Sequence, residues 1–178
     1  MDEIYKYMKN SPFWSSLPFL IKNDEDEVIN KLKAVPVFEG IPDRGLDIIR
    51  SMCHKRVFKE GDHIFHSGDP GVGMYIILEG FVEIYRREKG REMKLTTLQT
   101  GDFFGELALL EDLPRTASAK ALTYTRTIGF FRPDLIGLLA RKPRLINKIL
   151  LNLSKLIGRR LIRTTELLDQ RTVYEEVP

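Results

Sequence analysis

Cysteine is nearly absent, for Cys53 is the only one in 178 residues. An intramolecular disulfide is therefore impossible, and so is a self-contained four-cysteine iron–sulfur or zinc site, which makes a reducing, cytoplasmic setting the natural expectation. Histidine is scarce too, with three residues. A roll-fold metalloenzyme presents histidines spaced by two along a strand; His63 and His66 are spaced by three and should face opposite ways, while His54 stands alone. No metal or cofactor is expected. No apolar run approaches the length of a membrane span, and the opening MDEIYKYMKN lacks the uninterrupted apolar core of a signal peptide. Charge of one sign is not in excess either, since a net +3 is too small to argue for nucleic acid by itself. Internal repeats and low-complexity segments are missing as well.

What is present suits one compact domain with extensions. At 43% hydrophobic and 30% charged residues, the chain can bury a core and is not disordered by composition. Residues 1–34 read as a helical N-terminal extension interrupted by Pro12 and Pro18, with Asn23 as N-cap and the acidic Asn23–Glu27 segment opening a helix toward Leu32. Its aromatic and apolar residues Phe13, Trp14, Phe19 and Leu20 are expected to pack on their own domain. Residues 35–143 change character: a turn and short helix in FEGIPDRGLDIIRSM precede short strand-like runs cornered by Gly61, Gly68, Gly71, Gly80, Gly90 and Gly101. Tyr75, Ile77, Val82 and Ile84 keep a two-residue alternation that turns one side of each strand inward. Such spacing suits an antiparallel barrel or jelly roll, closed by strands in SAKALTYTRTIGFF and followed by a short helix ended by Pro143. Residues 144–170 form a long C-terminal helix whose apolar stripe comprises Ile146, Leu150, Leu153, Ile157, Leu161 and Leu168. A small barrel cannot cover all of that stripe, so a second copy or another partner is expected along it.

The chemistry concentrates in FFGELALLEDLPRTASA, from Phe103 to Ala119. Gly105 leaves backbone N–H groups unobstructed, and the GELALL run can form a short helix whose N-terminal donors attract an anion. Arg115 supplies a planar fork of donors suited to phosphate. Ionised Glu106 can only accept hydrogen bonds, so it needs a hydroxyl donor such as a ribose, or Arg115 itself, in front of it. Together these residues describe a pocket for a sugar bearing a compact phosphate.

At this point the chain resembles the cyclic-nucleotide-binding domain shared by the bacterial catabolite activator protein and the regulatory subunits of protein kinase A. The resemblance runs from about Val35 to Leu168 and rests on Gly105, Glu106, Leu107 and Ala108, followed by Arg115, Thr116 and Ala117, with the arginine nine residues after the glutamate. It implies a mainly β fold with flanking helices, an eight-stranded antiparallel jelly roll between the helical leader and the long C-terminal helix. It further implies that Glu106 holds the ribose 2′-OH and Arg115 the cyclic phosphate, assisted by Thr116 and the backbone of Leu107 and Ala108. Val82, Ile84, Leu95, Leu98 and Phe104 would line the purine pocket. Thr164 and Thr165 lie where the resembling helix offers hydroxyls to the base, although an ungapped count from Arg115 puts Arg160 and Leu161 there instead. The implied ligand is cyclic AMP, with cyclic GMP permitted by Thr116.

Relatives of the catabolite-activator type dimerise along the equivalent helix, whereas monomeric ones fold it over the ligand as a lid. The chain ends about ten residues after this helix, leaving no room for a helix-turn-helix, so specific DNA reading is not expected. The expectation is thus a non-enzymatic regulatory module that binds a cyclic mononucleotide, forms a homodimer and signals to a separate protein effector. Two alternatives stay open: an adaptor with a degenerate pocket, or a regulatory fragment of a longer protein.

Overall fold

Along the segment that follows Val72, Met74, Ile76 and Leu78 alternate with Tyr75 and Ile77, and a strand sends successive side chains to opposite faces. The computed structural model describes residues 18–88 and 90–175 and uses both faces of that strand, β3 (Gly73–Glu79). Seven further strands are β1 (His54–Phe58), β2 (His63–Phe65), β4 (Phe81–Glu88), β5 (Arg91–Gln99), β6 (Phe103–Phe104), β7 (Ser118–Ala121) and β8 (Thr125–Phe131). They form two four-stranded antiparallel sheets, ordered β1-β8-β3-β6 and β2-β7-β4-β5. The expected eight-stranded roll is therefore present. Gly80 is the corner where the chain leaves the first sheet for the second. Its φ of 97° favours glycine, and a Cβ there would lie 2.5 Å from the carbonyl oxygen of Tyr124.

Inside the roll, Tyr75 and Ile77 meet Val82, Phe104 and Ala119. The opposite face of β3 carries the larger core. Met74, Ile76 and Leu78, with Ile128 and Phe130 of β8, pack against four helices: α1 (Pro18–Ala34), α2 (Asp43–Met52), α3 (Arg132–Arg141) and α4 (Pro143–Glu175). Phe38, on a 3-10 turn between α1 and α2, meets Phe130 edge to face at 5.8 Å.

Helix α1 corrects one expectation, for the acidic segment from Asn23 to Glu27 lies within it and does not open it. Asn23 therefore has helical neighbours on both sides and cannot act as the N-cap. Pro12, Phe13 and Trp14, and the side chains of Phe19 and Leu20, lie outside the described residues.

Helix α4 continues past residue 170, and its apolar stripe divides into two parts. Ile146 and Leu153 are buried in the domain's own core and Leu150 packs partly against it, Ile157 is half-buried, and Leu161 is 66% exposed; the Leu168 side chain lies outside the described residues. Buried Asn152 fastens the covered half, its Nδ2 donating to the carbonyls of Val37 at 3.1 Å and Glu39 at 2.9 Å. Among the described residues no helix is long and apolar enough to cross a membrane.

Cys53 joins α2 to β1, and burial, with the carboxylate of Asp134 adding to it, pushes its thiol up to about 12. At pH 8 that leaves a thiolate fraction on the order of 1 in 10,000, so iodoacetamide is expected to label the folded protein hardly at all and the unfolded chain readily. Mass spectrometry with and without denaturant reads this directly; rapid labelling of the native protein would contradict the raised pKa of this half-buried thiol.

Candidate functional site

Strand β6 is two residues long because Gly105 ends it with a left-handed turn, φ 79°. A 3-10 helix follows over Glu106–Leu109, shorter than an α-helix, with the Ala108 N–H donating to the Gly105 carbonyl at 3.2 Å. This turn buries Glu106, leaving it 3% exposed. Glycine is needed for space as well as for φ, since a Cβ on Gly105 would stand 2.5 Å from Nη1 of Arg115.

Arg115 is held by its main chain on the other side. Its N–H donates to the Asp69 carbonyl at 2.8 Å, and its own carbonyl accepts from the Gly68 N–H at 2.9 Å and from the Ser67 hydroxyl at 3.3 Å. The guanidinium, 7% exposed, lies over the Phe65 ring at 4.1 Å, and Nη1 donates to the Gly105 carbonyl at 3.2 Å. Nε is buried and without a hydrogen-bond acceptor. Desolvation lowers the pKa of Arg115, opposed by Tyr75, Asp69 and Glu106. Even so, a guanidinium stays charged at any physiological pH. Arg115 is a buried cation with no carboxylate ion pair of its own among the described residues.

Glu106 does not face Arg115 within ion-pairing distance; it pairs instead with Arg160 of α4, whose guanidinium also lies 5.8 Å from the centre of the Phe103 ring. The long helix is thereby tied to the cassette through the carboxylate assigned to the ribose.

Between these groups lies a cavity of about 370 Å³, a size suited to a small ligand. Gly105, Glu106, Leu107, Ala108, Arg115, Thr116 and Ala117 all line it, as do Ile84, Leu95, Leu98 and Phe104. Regular alternation would send Leu95 and Thr96 to opposite faces. The ladder of β4 against β5 slips here, pairing Ile84 with Thr96 and Tyr85 with Lys94, so that Leu95 is the extra residue and both side chains reach the cavity.

Two placements differ from expectation. Val82 shares the face of Ile84 but lies nearer the Gly80 corner, where the inner cluster closes over it; it is fully buried and not part of the wall. Thr164 and Thr165 lie one helical turn beyond Arg160, exposed, their hydroxyls donating back to the carbonyls of Arg160 at 2.8 Å and Leu161 at 3.0 Å. Among the described residues, the side chain that α4 contributes to the wall is Arg160.

Sequence reasoning missed Phe65 and Arg86. Phe65 precedes Arg115 by fifty residues, and no local pattern links them. Arg86 lines the cavity from β4, and its Nε donates to the Thr116 carbonyl at 3.0 Å. The histidines also depart from the regular-strand picture. Strand β2 ends at Phe65 after a register shift, so the rings of His63 and His66 stack at 4.2 Å instead of facing apart.

Comparison with known proteins places this geometry among relatives. A sequence model of the cyclic nucleotide-binding domain matches residues 55–142. The chain is 34% identical over 131 residues to the cyclic AMP receptor protein of Thermus thermophilus, covering 73% of this chain and 59% of that one. It is 32% identical over 143 residues to a CRP-like cAMP-activated global transcriptional regulator of Mycobacterium tuberculosis, covering 80% of this chain and 62% of that one. Thus it spans about three fifths of the length of either regulator. Among solved structures, the N-terminal domain of a transcriptional regulator from Streptomyces coelicolor A3(2) superposes with a TM-score of 0.68 at 30% identity, covering 78% of this chain and 94% of that one.

Proposed function

This chain belongs to the cyclic nucleotide-binding domain family, and from that membership we propose that it is a regulatory module, not an enzyme, that takes cyclic AMP into the Glu106–Arg115 cavity and reports it through α4. The observation that carries this reading is Arg115: a buried guanidinium, its Nε unpartnered, lining an apolar-walled cavity beside a single buried carboxylate. A buried charge of this kind is stabilised by an anion with well-placed oxygens, and a cyclic phosphate supplies them. Across the cavity a ribose 2′-OH donates to Glu106, and the purine lies against Ile84, Leu95 and Leu98.

Because Glu106 holds Arg160, a ribose arriving at this carboxylate changes what ties α4 to the cassette. Ligand binding shifts the helix only by its difference in affinity for the two arrangements. The exposed distal half of α4, bearing Leu161 and Ile162, is the surface on which a second copy docks, and a protein effector in the cytoplasm reads the result.

Titration calorimetry with cyclic AMP, cyclic GMP and 5′-AMP tests the reading. Both cyclic nucleotides are expected to bind, cyclic AMP more tightly, and the non-cyclic control far more weakly; heat from neither cyclic nucleotide would sink it. Thr116 governs the choice of base, because its exposed hydroxyl can meet the phosphate or the exocyclic amine of a guanine turned over the ribose. One hydrogen bond is worth about 0.5–1.5 kcal/mol, so Thr116→Ala should weaken cyclic GMP by no more than roughly tenfold and cyclic AMP less. A wild-type preference for cyclic GMP of two orders of magnitude, abolished in that variant, would mean that the base has been misassigned.

A further inference from the structure

Outside the nucleotide cavity, a groove of about 440 Å³ lies where α2 meets the junction of α3 and α4. Its floor is apolar, formed by Ile41, Ile48 and Leu145 with Pro42 and Pro143 at the edges. Gly45 permits this approach, since a Cβ there would fall 3.2 Å from Leu145 Cδ1. Around the floor stand five cations, Arg44, Arg141, Lys142, Arg144 and Lys148, and no acidic residue lines the groove. None of the five has an ion-pair partner among the described residues. The carboxylates of α2 are engaged elsewhere, Asp43 with Lys33 at 2.7 Å and Asp47 with Arg50 at 3.5 Å.

We propose that this groove docks an acidic peptide segment of a partner protein, one that buries an apolar side chain on the Ile48–Leu145 floor and sets carboxylates against the surrounding arginines and lysines. Uncompensated cations converging from α2 and from both sides of the α3–α4 junction repel one another, and a polyanionic partner relieves that repulsion. Charge alone would suit nucleic acid or an anionic bilayer equally well. The recessed floor decides between them: Ile41 is buried and Ile48 and Leu145 are half-buried, so a flat headgroup layer meets the cations without reaching the apolar residues, whereas a peptide side chain fills the recess.

The test uses the full chain and a fluorescein-labelled helical peptide of about 12 residues with Leu and Phe at i, i+3 and i+7 and Glu elsewhere. Fluorescence anisotropy is expected to show saturable binding, and amide NMR shifts to cluster at residues 41–48 and 141–148. The double variant Arg44→Glu, Arg144→Glu, at two exposed positions, should weaken peptide binding at least roughly tenfold while leaving the cyclic AMP affinity and melting temperature unchanged. A peptide with Ser in place of Leu and Phe should bind at least roughly tenfold more weakly as well. Equal binding by that Ser peptide, shifts scattered over other basic faces, or no binding at all would overturn the proposal. So would retention by phosphatidylglycerol vesicles that the peptide fails to compete away, which would assign the cations to a membrane surface.

Discussion

Replacing Arg115 by leucine is expected to cut cyclic AMP affinity by roughly ten- to a hundred-fold, through loss of charge-assisted contacts worth about 1.5–3 kcal/mol, without weakening the empty protein. The two halves of this result come from one arrangement. In the free domain the guanidinium has a single side-chain hydrogen bond, to the Gly105 carbonyl, and one aromatic face, Phe65, while its Nε has nothing. Leucine keeps apolar volume against Phe65 and removes a desolvated charge, a change that is often neutral or stabilising. Calorimetry and a thermal melt of the same preparation check both. Wild-type affinity in the variant would remove Arg115 from the site, and a sharply lower melting temperature would make the residue a structural one.

A second large effect separates the two halves of α4. Leu153→Glu should destabilise the fold by about 4 kcal/mol or more, because it buries an unpaired carboxylate in a core position with no exposure at all. Leu161→Glu, at a side chain 66% exposed, should change stability by less than about 0.5 kcal/mol. What Leu161→Glu alters, on the proposed function, is self-association. Light scattering over a concentration series, with and without nucleotide, is expected to show a wild-type dimer and a monomeric variant. A wild type that stays monomeric throughout would leave the exposed half of α4 to another role, such as a lid.

The cassette and the roll were legible because their signals are local. Gly105, Glu106 and Arg115 lie within ten residues of one another, and few chemistries need all three in that order. The alternation through Tyr75, Ile77 and Ile84 sorts side chains by a period that any regular strand obeys. Features made by distant segments were not legible. The stripe along α4 reads as one surface in the sequence, yet its split after Ile157 depends on where α3 and the Phe38 turn run out of surface to offer. The slip that turns Leu95 inward is a property of the β4–β5 pairing. Val82 obeys the predicted periodicity and still misses the cavity, because periodicity gives a face and not a depth. Arg160 and Thr164 stand one turn apart on α4, and it is the ungapped count from Arg115, not the alignment by resemblance to Thr164 and Thr165, that lands on the residue lining the cavity.

Asn152 gives α4 a fulcrum. Its two hydrogen bonds pin the helix to the Val37–Glu39 turn, while eight residues farther on Arg160 meets Glu106. At a rise of 1.5 Å per residue, Arg160 lies about 12 Å from the pin and the end of the helix at Glu175 about 34 Å, a mechanical advantage of nearly three. A pivot that moves Arg160 by about 2 Å thus carries the tip of a rigid helix by about 6 Å, roughly one helical turn. The input arm is short and sits at the cassette; the output arm is long, and its described side chains from Arg159 to Leu167 are exposed. Lengthening or softening the output arm, rather than altering the pocket, is how such a lever would be retuned to a different receiver.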